Sequence, residues 1–135
     1  MLDYWDTRPV SDDDDIDAVS RACLSYWKSG EESDWWGVEA VMEAEGLGSP
    51  QLSWRLLLAL CALVDPADLE RINDIGAGPL ESFIRTFGEE AMDLIEPAVA
   101  THPTLLLALG AVWGWSEPFR PRIDRFLARH GQKLL

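Results

Sequence analysis

The chain has 135 residues, 47% of them apolar and 10% aromatic, which suits one domain with a single packed core and excludes a disordered chain. Its 24 acidic and 11 basic side chains leave a formal charge of -13, which argues against nucleic acid or anionic lipid as a partner and favours a basic one. The longest apolar run, Leu56 to Val64, is too short to span a bilayer, and Met1 to Asp6 lacks the basic and apolar stretches of a secretory leader, so a soluble cytoplasmic protein is expected.

Residues 1–10 have no periodicity and read as an extended arm that packs through Tyr4 and Trp5, with Pro9 discouraging helix at Arg8. Ser11 followed by Asp12, Asp13, Asp14 and Asp15 predicts a helix start, because carboxylates offset the free N–H groups and the positive end of the dipole. Ile16, Val19, Cys23, Tyr26 and Trp27 then share one face up to Gly30. Ser33 is read as the cap of a second helix with Trp35, Val38, Val41 and Met42 inward, stopped by Gly46 and Gly48. Ser49-Pro50 opens a third, whose body from Leu52 to Val64 is apolar nearly all round and therefore belongs at the centre.

Asp65-Pro66 repeats that start and predicts a short fourth helix with Leu69, Ile72 and Ile75 inward, ended by Gly76. Gly78-Pro79 is read as the start of a fifth, with Leu80, Phe83, Ile84 and Phe87 inward and Gly88 closing it. Residues 89–100 read as a sixth, bent by Pro97, with Met92, Ile95 and Val99 inward. Thr101-His102-Pro103 starts a seventh, Leu105 to Trp113. Glu117-Pro118 starts the last, with Ile123, Phe126 and Leu127 inward and Arg122, Arg125 and Arg129 outward. No stretch alternates with the period of a strand. The expected fold is all-α, a single domain over 1–135 of about seven to eight short helices, as an irregular bundle or as stacked helical hairpins.

Asp74-Ile75-Gly76-Ala77-Gly78-Pro79-Leu80-Glu81 invites a cofactor reading. As a dinucleotide fingerprint it fails at Glu81, where a third glycine is required, and both that motif and a methyltransferase-like loop need a preceding strand. The reading adopted is a corner, with Gly76 left-handed at one helix end and Gly78, Pro79 and Glu81 launching the next. The run Ile75 to Glu81, with Trp54, Ile95-Glu96, Pro103 and Val112-Trp113, resembles a family of small bacterial domains of unknown function over roughly residues 36–115. The resemblance implies a bacterial, mainly helical protein and supplies no catalytic or binding residues.

The chemistry-bearing residues form no familiar constellation. Cys23 and Cys61 lack CxxC spacing and read as buried free thiols; His102 and His130 form no His-x-x-x-His pair; the aspartate run lacks the glycine and distal glutamate of a calcium loop. No catalytic residue, metal or cofactor is therefore expected. Trp27, Trp54 and Trp113 read as core, whereas Trp35 and Trp36 are adjacent, so one of them stays outside beside Glu31, Glu32 and Asp34. Residues 1–50 hold 13 acidic and 3 basic groups, and residues 115–135 hold 2 acidic and 5 basic. The expectation is a non-enzymatic protein-binding domain of the immunity or antitoxin type. Its acidic half, through Asp12, Asp13, Asp14, Asp15, Glu31, Glu32, Asp34, Trp35 and Trp36, docks a basic toxin-like protein. The alternatives are a helical-hairpin module that takes a small ligand or peptide in a groove between its two apolar helices, and an enzyme using paired carboxylates.

Overall fold

The computed structural model describes residues 13–112 and 120–129, and these form an all-helical domain without strands. The helices are α1 (Asp13–Ser29), α2 (Trp35–Gly46, entered through a 3-10 turn at Glu32–Asp34), α3 (Pro50–Leu63), α4 (Leu69–Ile75), α5 (Glu81–Phe87), α6 (Glu89–Ala98), α7 (Pro103–Gly110) and α8 (Arg120–Arg129). The arm at 1–10, Ser11, Asp12, Trp113, Glu117-Pro118 and His130 lie outside the described residues, as do the side chains of Ile123, Phe126 and Leu127.

The punctuation read from glycine and proline holds at most joints. Gly30 and Gly48 have φ of 72° and 76°, and Gly88 turns α5 into α6 at φ 57°. Pro50 and Pro103 occupy the first turns of α3 and α7. Helix α3 touches α1, α2, α4, α5, α6 and α7, the central place its all-round apolar surface required. Because α3 reaches so many elements distant in sequence, the arrangement is an irregular bundle and not a stack in which each hairpin meets only its neighbours. Val19, Leu60, Ile75, Leu80, Phe83, Ile95 and Leu105 lie fully buried in the core, with Trp54 stacked on Phe83 at a centroid distance of 5.9 Å. The end of α3 is tied to the start of α7, since the Thr104 hydroxyl donates to the Val64 carbonyl at 2.9 Å.

Besides the glycine stretch, two helix starts differ from expectation. Asp65-Pro66 forms a turn instead of a helix start: Asp65 accepts from the Ala67 amide at 2.8 Å, and Asp68 caps α4 by accepting from Arg71 N–H at 3.3 Å. Leu69 consequently sits outside, 66% exposed. Ser33 lies within the 3-10 turn, so it does not cap α2, and Asp34 at the N-cap accepts from the Ser25 hydroxyl of α1 at 2.7 Å.

The glycine stretch is not a corner. Gly76 has φ -64° and ψ -47°, ordinary helical values, and Gly76–Leu80 is a π-helical segment carrying α4 directly into α5. Gly78 caps nothing and Pro79 lies inside this run. What fixes Gly76 is proximity: a Cβ there would stand 2.4 Å from the Ala108 carbonyl oxygen and 2.9 Å from Ala111 Cβ, so α7 crosses against bare backbone. Gly37 does the same where α2 crosses α1, with a Cβ 2.6 Å from both Ala22 Cβ and Cys23 N.

Arg122 was expected to face solvent and instead clamps α8 to α6. Its guanidinium bonds Glu96, Glu89 at 2.6 Å and Asp93 at 3.1 Å, which are three carboxylates on successive turns of one helix face. The bond to Glu96 and its neighbours raises the Arg122 pKa still further. His102 precedes α7 without capping it; its Nδ1 lies 2.8 Å from the Ala98 carbonyl, so that nitrogen carries the hydrogen.

Candidate functional site

The acidic candidates do not form one patch. Asp13 and Asp14 lie exposed at the start of α1, and Asp15 is half-buried there. Glu31, Glu32 and Asp34 follow its other end, about 25 Å away at 1.5 Å per helical residue. Asp13 also meets Arg55 of α3 at 3.0 Å, so part of its charge is already compensated within the chain. The aspartate run thus reads as a helix start, and the C-terminal end of α1 with α2 is where acid and exposed apolar surface coincide.

Helix α2 carries that coincidence. Trp35 is 39% exposed and Met42 58% exposed; the helical period placed both inward, while one of Trp35 and Trp36 was also expected to stay outside. They stand seven residues apart, so they share a face, with Glu39 between them. Trp35 is held edge-on by Tyr26 of α1 at a centroid distance of 5.0 Å, whereas Trp36 packs against the core. Between Lys28 and Arg55 the chain has six carboxylates, Glu31, Glu32, Asp34, Glu39, Glu43 and Glu45, and no lysine or arginine. The α2 face is therefore an apolar stripe in a field of one sign.

Met42 also forms the rim of a groove between α1, α2 and the π segment. The groove encloses about 270 Å³, walled by Trp27, Val38, Val41 and Pro79 and floored beside Gly78. Its one charged group among the described residues is Glu45, whose Oε2 accepts from the Ser82 hydroxyl at 2.6 Å and from Thr86 at 3.4 Å. Burial pushes the Glu45 carboxyl pKa up, against the opposing effects of those two hydroxyls and of Arg85. A carboxyl pKa raised on folding makes the folded state hold its proton longer, so this group's contribution to stability falls as pH rises through the raised pKa. The two apolar helices between which a groove was expected, α3 and α7, touch each other, and the groove lies on the α1 and α2 side instead. Among the described residues no second carboxylate lines the groove, which lends no support to paired-carboxylate hydrolysis.

The cations gather elsewhere. Arg21, Lys28 and Arg71 border a cavity of about 360 Å³ on the other side of α1, where Arg71 is already paired with Glu70 at 2.6 Å and Asp74 at 3.2 Å. Cys23 and Cys61 are free and buried, and burial pushes both thiols up to about 12. Among the described residues no three His, Cys, Asp or Glu side chains are grouped to hold a metal, and no helix is long and apolar enough to cross a membrane.

A family model described as "Family of unknown function (DUF6869)" matches residues 26–131. The chain belongs to this family. No curated protein and no solved structure matches the chain significantly. The family span leaves out Asp12 to Asp15 and takes in the Glu31–Trp36 segment, all of α2, the groove and the π segment. Sequence reasoning missed Glu45, Ser82 and Thr86, because their meeting joins positions 37 and 41 residues apart.

Proposed function

We propose that this protein is a non-enzymatic binding domain whose α2 face docks a basic protein. The observation that carries the reading is the exposed Trp35–Met42 stripe on a stretch with six carboxylates and no cation. An aromatic and a methionine ringed by carboxylates supply the two terms a protein interface needs: apolar area to bury, and a field that steers a cationic surface into register. Within this reading the immunity or antitoxin type fits best, since such a protein covers the cationic site of a toxin; that step is class-level analogy.

The test compares capture by wild type and by Trp35→Ala from an extract of the source cells, with the retained protein identified and its charge measured. The expected result is one basic protein held by wild type, released by high salt, and bound about 30-fold more weakly by Trp35→Ala, the effect of losing about 2 kcal/mol at an aromatic anchor. Retention of the same proteins by both forms, or of acidic ones only, refutes the reading.

A further inference from the structure

We propose that the groove beside α2 seats a single basic side chain of the partner, with its methylene stem between Trp27, Val41, Met42 and Pro79 and its cationic head on Glu45. This rests on the docking surface above and specifies the chemistry at its centre. Three features of the groove point to such an occupant.

Size comes first. About 270 Å³ falls just below the range of sites that enclose whole small molecules, and matches one long side chain or a fragment. The walls are apolar and the only charge among the described residues is negative, which suits a lysine or arginine because its stem is hydrocarbon and its head is a cation.

The second is the state of Glu45. Both hydroxyl bonds go to Oε2, so the carboxylate is oriented while Oε1 is left for a further donor. The nearby cation, Arg85, is paired with Glu81 instead. Glu45 has thus already lost part of its hydration without an ion pair in return, as its raised pKa reflects. An incoming cation would meet a carboxylate already partly desolvated by folding. Nearby, Ser53 is 5% exposed, its Oγ has no hydrogen-bond partner among the described residues, and it borders a void of about 10 Å³ that Glu45 and Pro79 also line. A buried hydroxyl without a partner is uncommon, and this one adds a polar group on the Glu45 side of the groove.

The third is Gly78. Unlike Gly76 it has no packing reason to be glycine: a Cβ there meets nothing within 4 Å, and its φ is not positive. Its missing side chain leaves the groove open over the π segment.

The experiment is a ¹H–¹⁵N NMR titration of the full chain with n-butylguanidinium, with n-pentanol as the neutral comparator. Expected are saturable shifts at the amides of Glu45, Gly78 and Ser82, with Kd in the millimolar range and little response to the alcohol. Glu45→Gln should bind about 10-fold more weakly or worse, with Tm unchanged or higher, since glutamine keeps the Ser82 bond and removes a desolvated charge; a purely structural Glu45 would lower Tm. Gly78→Leu should fold and lose the saturable shifts. Equal response to pentanol, no localised shifts, or undiminished binding by Glu45→Gln overturns the proposal. The titration needs no partner, so it can fail while the Trp35 result stands, and the reverse.

Discussion

Gly76→Ala is expected to lower stability by about 3 kcal/mol, at the upper end of overpacking costs, and Tm by about 10 °C. The added methyl would meet the Ala108 carbonyl oxygen at 2.4 Å and Ala111 Cβ at 2.9 Å, and the first of these is backbone that no rotamer change can move. Relief requires α7 to back away from the π segment, which loosens Leu105, Ala108 and Leu109 from the core together. Valine should be worse, because its branches enlarge the same clash. Two residues on, Gly78→Ala should raise stability by about 0.5 to 1 kcal/mol, since its Cβ meets nothing within 4 Å and alanine narrows the unfolded ensemble. Thermal or urea melts of the pair give opposite signs if close approach is the reason for Gly76; a helix-end glycine reading would make Gly76→Ala costly through positive φ, which the observed -64° excludes.

Gly37→Ala is expected to cost about 2 to 3 kcal/mol, the overpacking less a small gain in helix propensity. Here the methyl would stand 2.6 Å from Cys23 N and from Ala22 Cβ. Among the described residues α1 and α2 share the most extensive helix–helix contact, and Ala40 and Ala44, buried on the Gly37 side of α2, continue the line of small residues. Prising the two helices apart would also reshape the groove wall at Cys23 and Val38. Chemical denaturation should show a lowered midpoint with an unchanged slope if the domain still unfolds in one step.

The helices were legible where one local rule decides. Gly30, Gly48, Pro50 and Gly88 act through their own φ, so no knowledge of neighbours was needed. Gly76 was misread because a glycine can end a helix or admit a neighbour, and its neighbour, Ala108, lies 32 residues on. A signal was nonetheless present: Ile72, Gly76, Leu80 and Ile84 are buried at intervals of four. Twelve residues thereby complete three turns that an α-helix makes in about eleven. One residue is in excess, and the π segment absorbs it.

The site was less legible for the same reason. Arg122 looked like a cation complementing its helix dipole, and nothing local announced three carboxylates 26 to 33 residues earlier. Asp12 to Asp15 and Glu31 to Trp36 were grouped by composition, whereas the length of α1 sets Asp13 to Asp15 and Glu31 to Trp36 at opposite ends. Of the apolar period Trp35, Val38, Val41 and Met42, the two valines are buried and the two outer members are exposed, so periodicity found the inner face of α2 and could not say where its edges meet water.

The two cysteines extend the argument from structure to motion. A thiol reacts as its thiolate, and with both pushed up to about 12 and shut inside α1 and α3, neither is modified at neutral pH without an opening of the chain around it. Labelling rates at Cys23 and Cys61 are therefore clocks of two separate openings. Cys23 lies on the groove wall and Cys61 does not. A guanidinium held on Glu45 should slow the first clock and leave the second running, which would show that occupancy of the groove stiffens the α1–α2 pair.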